Sequence, residues 1–140
     1  MDFAADRVAT TIAAGPPARL VVLFGSAAQG RMHDHSDVDI GWIPGDSDLS
    51  LGDELTFQVD LTAAAGREVD LVRLDQASTV LRYEVARDGI LLAGPRSEFV
   101  RFRAEAIGEY LDFAPALRDA SERYRRAILA GIGPGRRSPG

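Results

Sequence analysis

Leu20–Val21–Val22–Leu23–Phe24–Gly25–Ser26–Ala27–Ala28–Gln29–Gly30, then Ser36–Asp37–Val38–Asp39–Ile40–Gly41–Trp42–Ile43, is the stretch that decides the fold. Its first five residues form a continuous apolar run rich in β-branched side chains. That is the pattern of a strand buried on both faces. Gly25 ends the run where a backbone without a Cβ lets a ligand approach closely. Ser26 opens the next helical turn, whose free N–H groups and hydroxyl suit a phosphate. His33–Asp34–His35 reads as a solvated loop, since two His without Cys rarely hold a metal. From Asp37 the chain alternates. Val38, Ile40 and Trp42 share one face, and Asp37, Asp39 and Gly41 share the other, which predicts a second strand. The link between the two strands is short for a crossover helix, so the pair is expected to be antiparallel.

Outward from this stretch the elements follow by periodicity. Asp2 to Ala14 carries Ala5, Val8 and Ile12 at helical spacing and stops at Gly15–Pro16–Pro17. Ser50, with Asp53 three residues on, predicts a capping box. The helix behind it places Leu51, Leu55, Val59 and Thr62 on one side and stops at Gly66. Glu68 to Leu74 reads as a third strand, with Val69 and Leu71 on one face and Asp70 and Val72 on the other. A helix from about Ala77 to Asp88 and a short strand Ile90–Leu92 come next. Ser97 is read as the cap of a longer helix bearing Phe99, Phe102, Ala106, Tyr110 and Phe113. Pro115 is expected to break or kink it, ahead of a last helix with Leu117, Tyr124 and Ile128. The fold class is therefore α/β (α+β), with a single small mixed sheet and helices packed on it. Residues 1–130 read as one domain, and the Gly- and Pro-rich residues 131–140 as a disordered tail.

Asp37 and Asp39, two apart on a strand, point to the same face. Asp70 joins them if the third strand neighbours the second. Three carboxylates so placed repel one another, and a hard divalent cation with oxygen ligands, Mg²⁺ first, relieves this. A bare Asp-x-Asp is equally the mark of a solvated sheet face. Its position beside Gly25–Ser26 favours chemistry.

The chain has 140 residues and a net charge of −5. All 16 of its cations are Arg and it contains no Cys. Disulfides, thiolate catalysis, Schiff-base lysines and a phosphate-loop lysine are thereby excluded. The acidic balance, with a sequence pI near 5.0, speaks against nucleic acid as a partner. No apolar run approaches the roughly 20 residues that span a bilayer. The acidic start Met1–Asp2–Phe3–Ala4–Ala5–Asp6 is unlike a signal peptide. A cytoplasmic location is expected. Asp46–Ser47–Asp48–Leu49–Ser50 fails as a calcium loop, because Leu51 stands where Gly is needed and Phe57 where Glu is needed. Trp42 and the aromatic stripe Phe99–Phe102–Tyr110–Phe113 are assigned to packing.

Leu23–Phe24–Gly25–Ser26–Ala27–Ala28–Gln29–Gly30, residues 27–36, then Ser36–Asp37–Val38–Asp39–Ile40, resembles the signature of the nucleotidyltransferase superfamily that includes DNA polymerase beta. More narrowly, the chain resembles the minimal nucleotidyltransferases, the MNT antitoxins paired with HEPN-domain toxins. Val69–Asp70–Leu71–Val72 matches the third-carboxylate strand. The run Leu81 to Gly89 and the segment Glu109–Tyr110–Leu111–Asp112–Phe113 extend the likeness. The resemblance implies a polymerase-beta-like fold and AMP transfer from ATP, with Asp37, Asp39 and Asp70 holding two Mg²⁺ ions. It implies that Gly25 and Ser26 bind the β/γ-phosphates and that Asp70 helps remove the acceptor proton. It further implies a Tyr hydroxyl of a partner HEPN toxin as the acceptor. Many relatives read Gly-Ser-x-Ala-Arg-Gly. Gln29 stands at the Arg position here, which leaves Arg31 to supply a phosphate-facing cation.

Two other functions compete. One is a toxin-binding module that silences by contact, with catalysis weakened at Gln29. The other is a small-molecule nucleotidyltransferase of the antibiotic-modifying kind. The latter commonly adds a helical domain for which 140 residues leave little room, unless a second copy supplies it. An Arg-rich side on the last helices, with Arg101, Arg103, Arg118, Arg123, Arg125 and Arg126, is expected to serve an oligomer or a partner.

Overall fold

The computed structural model describes residues 4–31, 37–46 and 48–131. The elements run α1 (Ala5–Ala14), β1 (Ala18–Phe24), α2 (Gly25–Ala28), β2 (Val38–Pro44), α3 (Leu51–Ala65), β3 (Val69–Arg73), α4 (Thr79–Asp88), β4 (Ile90–Ala93) and α5 (Arg96–Leu129). The four strands form one mixed sheet in the order β3-β2-β1-β4. β1 pairs antiparallel with β2, as the short link predicts, and antiparallel with β4. β2 and β3 are parallel, joined across α3. The His33–Asp34–His35 loop lies outside the described residues, as does the expected tail apart from Gly131.

The alternation along β2 divides the core in two. Val38, Ile40 and Trp42 are buried with Val8 and Ile12 of α1 and with Phe57 and Leu61 of α3. On the other face Leu20, Val22 and Phe24 of β1 meet Val85 of α4 and Phe99 and Phe102 of α5. The sheet is thus a filling between two helical layers. Asp39 and Gly41 project towards the α4/α5 layer, where Leu74 fills the space against Gly41. Among the described residues, no helix is long and apolar enough to cross a membrane.

The capping box of α3 is present: Ser50 Oγ accepts from the Asp53 N–H at 3.1 Å, and Asp53 Oδ2 from the Ser50 N–H at 3.3 Å. Its buried face differs from the expected one. Leu51, Leu55 and Val59 are 70%, 55% and 66% exposed. Phe57, Leu61, Ala64 and Ala65 face the core instead. The helix offers two apolar stripes, and the one with the larger payload wins. Phe57 lies against Gly15 and meets Trp42 at 4.9 Å between ring centroids. Only Thr62 of the expected four turns inward, and its hydroxyl accepts from the Val69 N–H at 3.1 Å.

A second difference lies in α5, one helix of 34 residues with Pro115 inside it. Proline removes one N–H and crowds one carbonyl. The helix nevertheless runs on past Pro115, and beyond Leu111 only Ala114 is buried among the described residues. It starts at Arg96 after Pro95, so Ser97 is not its cap. Its Arg-rich side is largely paired with its own acids. Arg101 pairs with Glu98 and Glu105, Arg123 with Asp119, and Arg125 and Arg126 with Glu122. Arg103 donates to the Ala86 carbonyl at 2.9 Å. Tyr110 is stacked on Tyr83, with 3.9 Å between ring centroids.

Candidate active site

The central carboxylate is Asp39. In the sheet its Cα is opposite Phe24 of β1 on one side and Asp70 of β3 on the other. Residues paired across parallel strands point the same way, so Asp39 and Asp70 share a face. Asp37, just ahead of β2 and exposed, shares it by alternation. Asp39 is half-buried and Asp70 exposed. Burial pushes the Asp39 carboxyl above its ordinary range, and the nearby charges of Asp70 and Asp37 push it further. The charges of Asp70 and Asp37 thus both reach Asp39.

Among the described residues, no group of three or more His, Asp or Glu side chains is gathered closely enough to hold a metal ion. The donor set nevertheless fits a hard divalent cation. It offers only carboxylate oxygens, two of them in register. Burial and two like neighbours disfavour the ionised form of its central member, and a cation would favour it.

Gly25 follows the end of β1 with φ at +71°. A Cβ at this position would collide with Asp39 Oδ2. The glycine is thus required twice, by its left-handed backbone and by the carboxylate against it. Ser26 stands in the single turn of α2. The Arg31 N–H closes this loop onto the Ser26 carbonyl at 2.9 Å, through Gly30 at φ +70°. The sequence reading expected a close approach at Gly25 and a turn at Ser26. The turn is present, and the group against Gly25 in the structure is the Asp39 carboxylate.

Arg31 stands two residues beyond Gln29, at the end of the same loop. Its guanidinium donates to Gln29 Oε1. Gln29 Nε2 in turn donates to Asp88 Oδ2 of α4 at 3.2 Å. Asp88 also receives Arg87, at 2.9 Å from Nε and 2.8 Å from the terminal nitrogen. Sequence reasoning missed Asp88, and no local signal marks it, since it lies 59 residues from Gln29. Only the packing of α2 near α4 brings the two together. A groove of about 680 Å³ lies between α1 and α3, across the sheet from the carboxylates.

Comparison with known proteins gives a consistent picture. The family model described as polymerase beta, nucleotidyltransferase, matches residues 8–98. The protein adenylyltransferase MntA of Shewanella oneidensis is 38% identical over 95 residues, which cover 68% of this chain and 68% of the relative. A chain from the crystal structure of a toxin–antitoxin with AMP-PNP superimposes with a TM-score of 0.75 at 28% identity, covering 85% of this chain and 96% of that one. A chain from the complex of tri-AMPylated Shewanella oneidensis HEPN toxin with MNT antitoxin gives 0.67 at 25% identity, covering 85% and 97%.

Proposed function

The chain belongs to the polymerase beta nucleotidyltransferase family, and from that premise we propose that it transfers AMP from ATP to a Tyr hydroxyl of a partner HEPN-domain toxin and so acts as its antitoxin. The observation that carries the reading is the in-register pair Asp39–Asp70, with Asp37 beside it and Gly25 packed against Asp39. The adenylyltransferase relative and the AMPylated toxin complex support the choice of donor and acceptor. ATP as donor accords with a cytoplasmic setting.

In this reading Asp37, Asp39 and Asp70 hold Mg²⁺, two ions in all. When bound, the metal lowers the pKa of the acceptor hydroxyl and offsets charge on the leaving group. The Gly25 N–H and the Ser26 hydroxyl bind the β/γ-phosphates, and Arg31 supplies the cation that a chain without Lys must draw from Arg. The acceptor oxygen forms a bond to the α-phosphorus. The bond from that phosphorus to the bridging oxygen breaks, and pyrophosphate leaves. The phenol proton, with an ordinary pKa of about 10, passes to Asp70.

The test is intact mass of the purified toxin after incubation with this chain, ATP and Mg²⁺. We expect a gain of one or more AMP units, abolished by Asp37→Ala here and by Tyr→Phe at the acceptor. A toxin that is inhibited yet unmodified would establish silencing by contact instead.

A further inference from the structure

Gln29 occupies an unusual electrostatic position. One face of its amide donates to Asp88, and the other accepts from Arg31. Asp88 already has a cationic partner in Arg87, which also lies over the Tyr83 ring at 5.6 Å. The anchor of Gln29 is therefore a neutralised carboxylate on a helix packed into the protein body. Arg31 is treated differently from most arginines of this chain. Arg19, Arg73, Arg82 and Arg87 each pair with a carboxylate. Arg31 is held by an amide oxygen and has no carboxylate partner among the described residues. An amide oxygen orients a guanidinium without cancelling its charge. A carboxylate in the same place would orient it and neutralise it.

The backbone around the pair is also fixed. The Arg31 N–H is bonded to the Ser26 carbonyl and the Gln29 N–H to the Gly25 carbonyl at 3.2 Å. Arg31 thus stands on the loop that begins at Gly25–Ser26, with its orientation set from α4.

We propose that Gln29 is a positioning residue that, anchored on Asp88, presents Arg31 with its charge uncompensated to the β/γ-phosphates of the nucleotide. The inference rests on the reading of Gly25–Ser26 as the phosphate loop. Arg31 touches the nucleotide; Gln29 acts only through Arg31. The β/γ-phosphates depart as pyrophosphate, so a cation on them strengthens triphosphate binding and also offsets the charge that develops on the leaving group; its loss raises KM and lowers kcat. The two residues form one unit, so their effects do not add.

The experiment uses the full chain. Calorimetric titration with Mg·ATP and with AMP is combined with AMP-transfer kinetics on the partner. Arg31→Gln and Gln29→Met are each expected to weaken ATP binding and raise its KM about tenfold, the worth of one charge-assisted hydrogen bond. Turnover falls in both variants in the same proportion, AMP binding is unchanged, and the double variant is no worse than either single one. Arg31→Lys, with Gln29 intact, recovers part of the loss. ATP binding that is unaltered in Arg31→Gln would overturn the proposal while leaving nucleotidyl transfer standing. A loss of kcat and thermal stability in Gln29→Met, with unchanged KM, would reduce Gln29 to a structural role. Tight ATP binding that falls in both variants, without any transfer to the toxin, would sustain the positioning role and sink the acceptor assignment.

Discussion

Asp39 is under electrostatic strain by construction. It is half-buried, faces Asp70 across the parallel pair and feels Asp37 two residues away, and its carboxyl is pushed upward by all three. Ionising it costs more in the folded chain than in the unfolded one. The stability tied to its neutral form is therefore complete below about pH 4 and is lost as pH rises through the raised value. Asp39→Asn should melt above wild type at pH 7 in chelator, and the gap should close near pH 4. The same substitution should cut AMP transfer roughly 100-fold or more, since it removes a charged metal ligand. Differential scanning fluorimetry across pH and a mass-spectrometric transfer assay check both halves. This residue was legible in the sequence, because alternation puts Asp37 and Asp39 on one face whatever else the chain does. So was Gly25, although its tightest neighbour proved to be Asp39 itself. Asp88 was not, because a partner 59 residues distant leaves no periodic mark.

At the level of elements, boundaries were legible and faces were less so. Ser50–Asp53 fixed the start of α3 through local chemistry alone, and Gly66 at φ +70° ended it. Which of two apolar stripes turns inward depends on Trp42 and Gly15, residues of other elements. Phe57→Ala should consequently cost about 3–5 kcal/mol, the usual penalty for emptying a buried aromatic site. Leu55→Gln, on the exposed stripe, should stay within about 0.5 kcal/mol. Urea unfolding of both variants tests the assignment, and equal losses would put the stripe back where periodicity placed it. Pro115 in α5 shows the same limit, since the helix runs on through a residue that commonly breaks or kinks one. Between elements, Arg73 at the end of β3 ties the sheet to α3 through Glu54 at 2.9 Å and to the following turn through Asp75 at 2.7 Å. The hydrogen bond from Arg73 holds the Asp75 carboxyl below the usual carboxylate range. Its stabilisation is present above about pH 4 and is lost as pH falls through the lowered value. Arg73→Met keeps the packed stem and removes the charge. It should cost no more than about 1 kcal/mol, because both carboxylate partners are partly solvated. That cost should be constant from pH 7 to 5 and vanish in stronger acid, as read by urea midpoints at each pH.

Across the whole molecule, the sheet order β3-β2-β1-β4 is what turns three scattered acids into one site. It was only partly legible. The short link between β1 and β2 forces their antiparallel pairing, and α3 is long enough to carry β3 back parallel to β2. Nothing local decides that β4 joins the far side of β1 and leaves β3 as the edge beside the catalytic strand. That arrangement has an energetic consequence. The two-layered core stabilises the fold on both faces of the sheet while one end of it gathers like charge. A cation that binds only the folded arrangement would offset that charge and stabilise the fold by mass action. At a concentration 100 times its Kd, such a ligand stabilises by about 2.7 kcal/mol. For a domain of this size that raises Tm by roughly 10 °C. Mn²⁺ titrated into wild type should therefore give a saturating rise of this order at pH 7. The rise should shrink steeply by pH 4, where protons compete for the same oxygens. Asp70→Asn should flatten the response, while Arg73→Met, which leaves the three acids intact, should lower the baseline and preserve the rise. Equal melting shifts in wild type and Asp70→Asn would move the metal away from the β2–β3 pair and take the catalytic assignment of Asp70 with it.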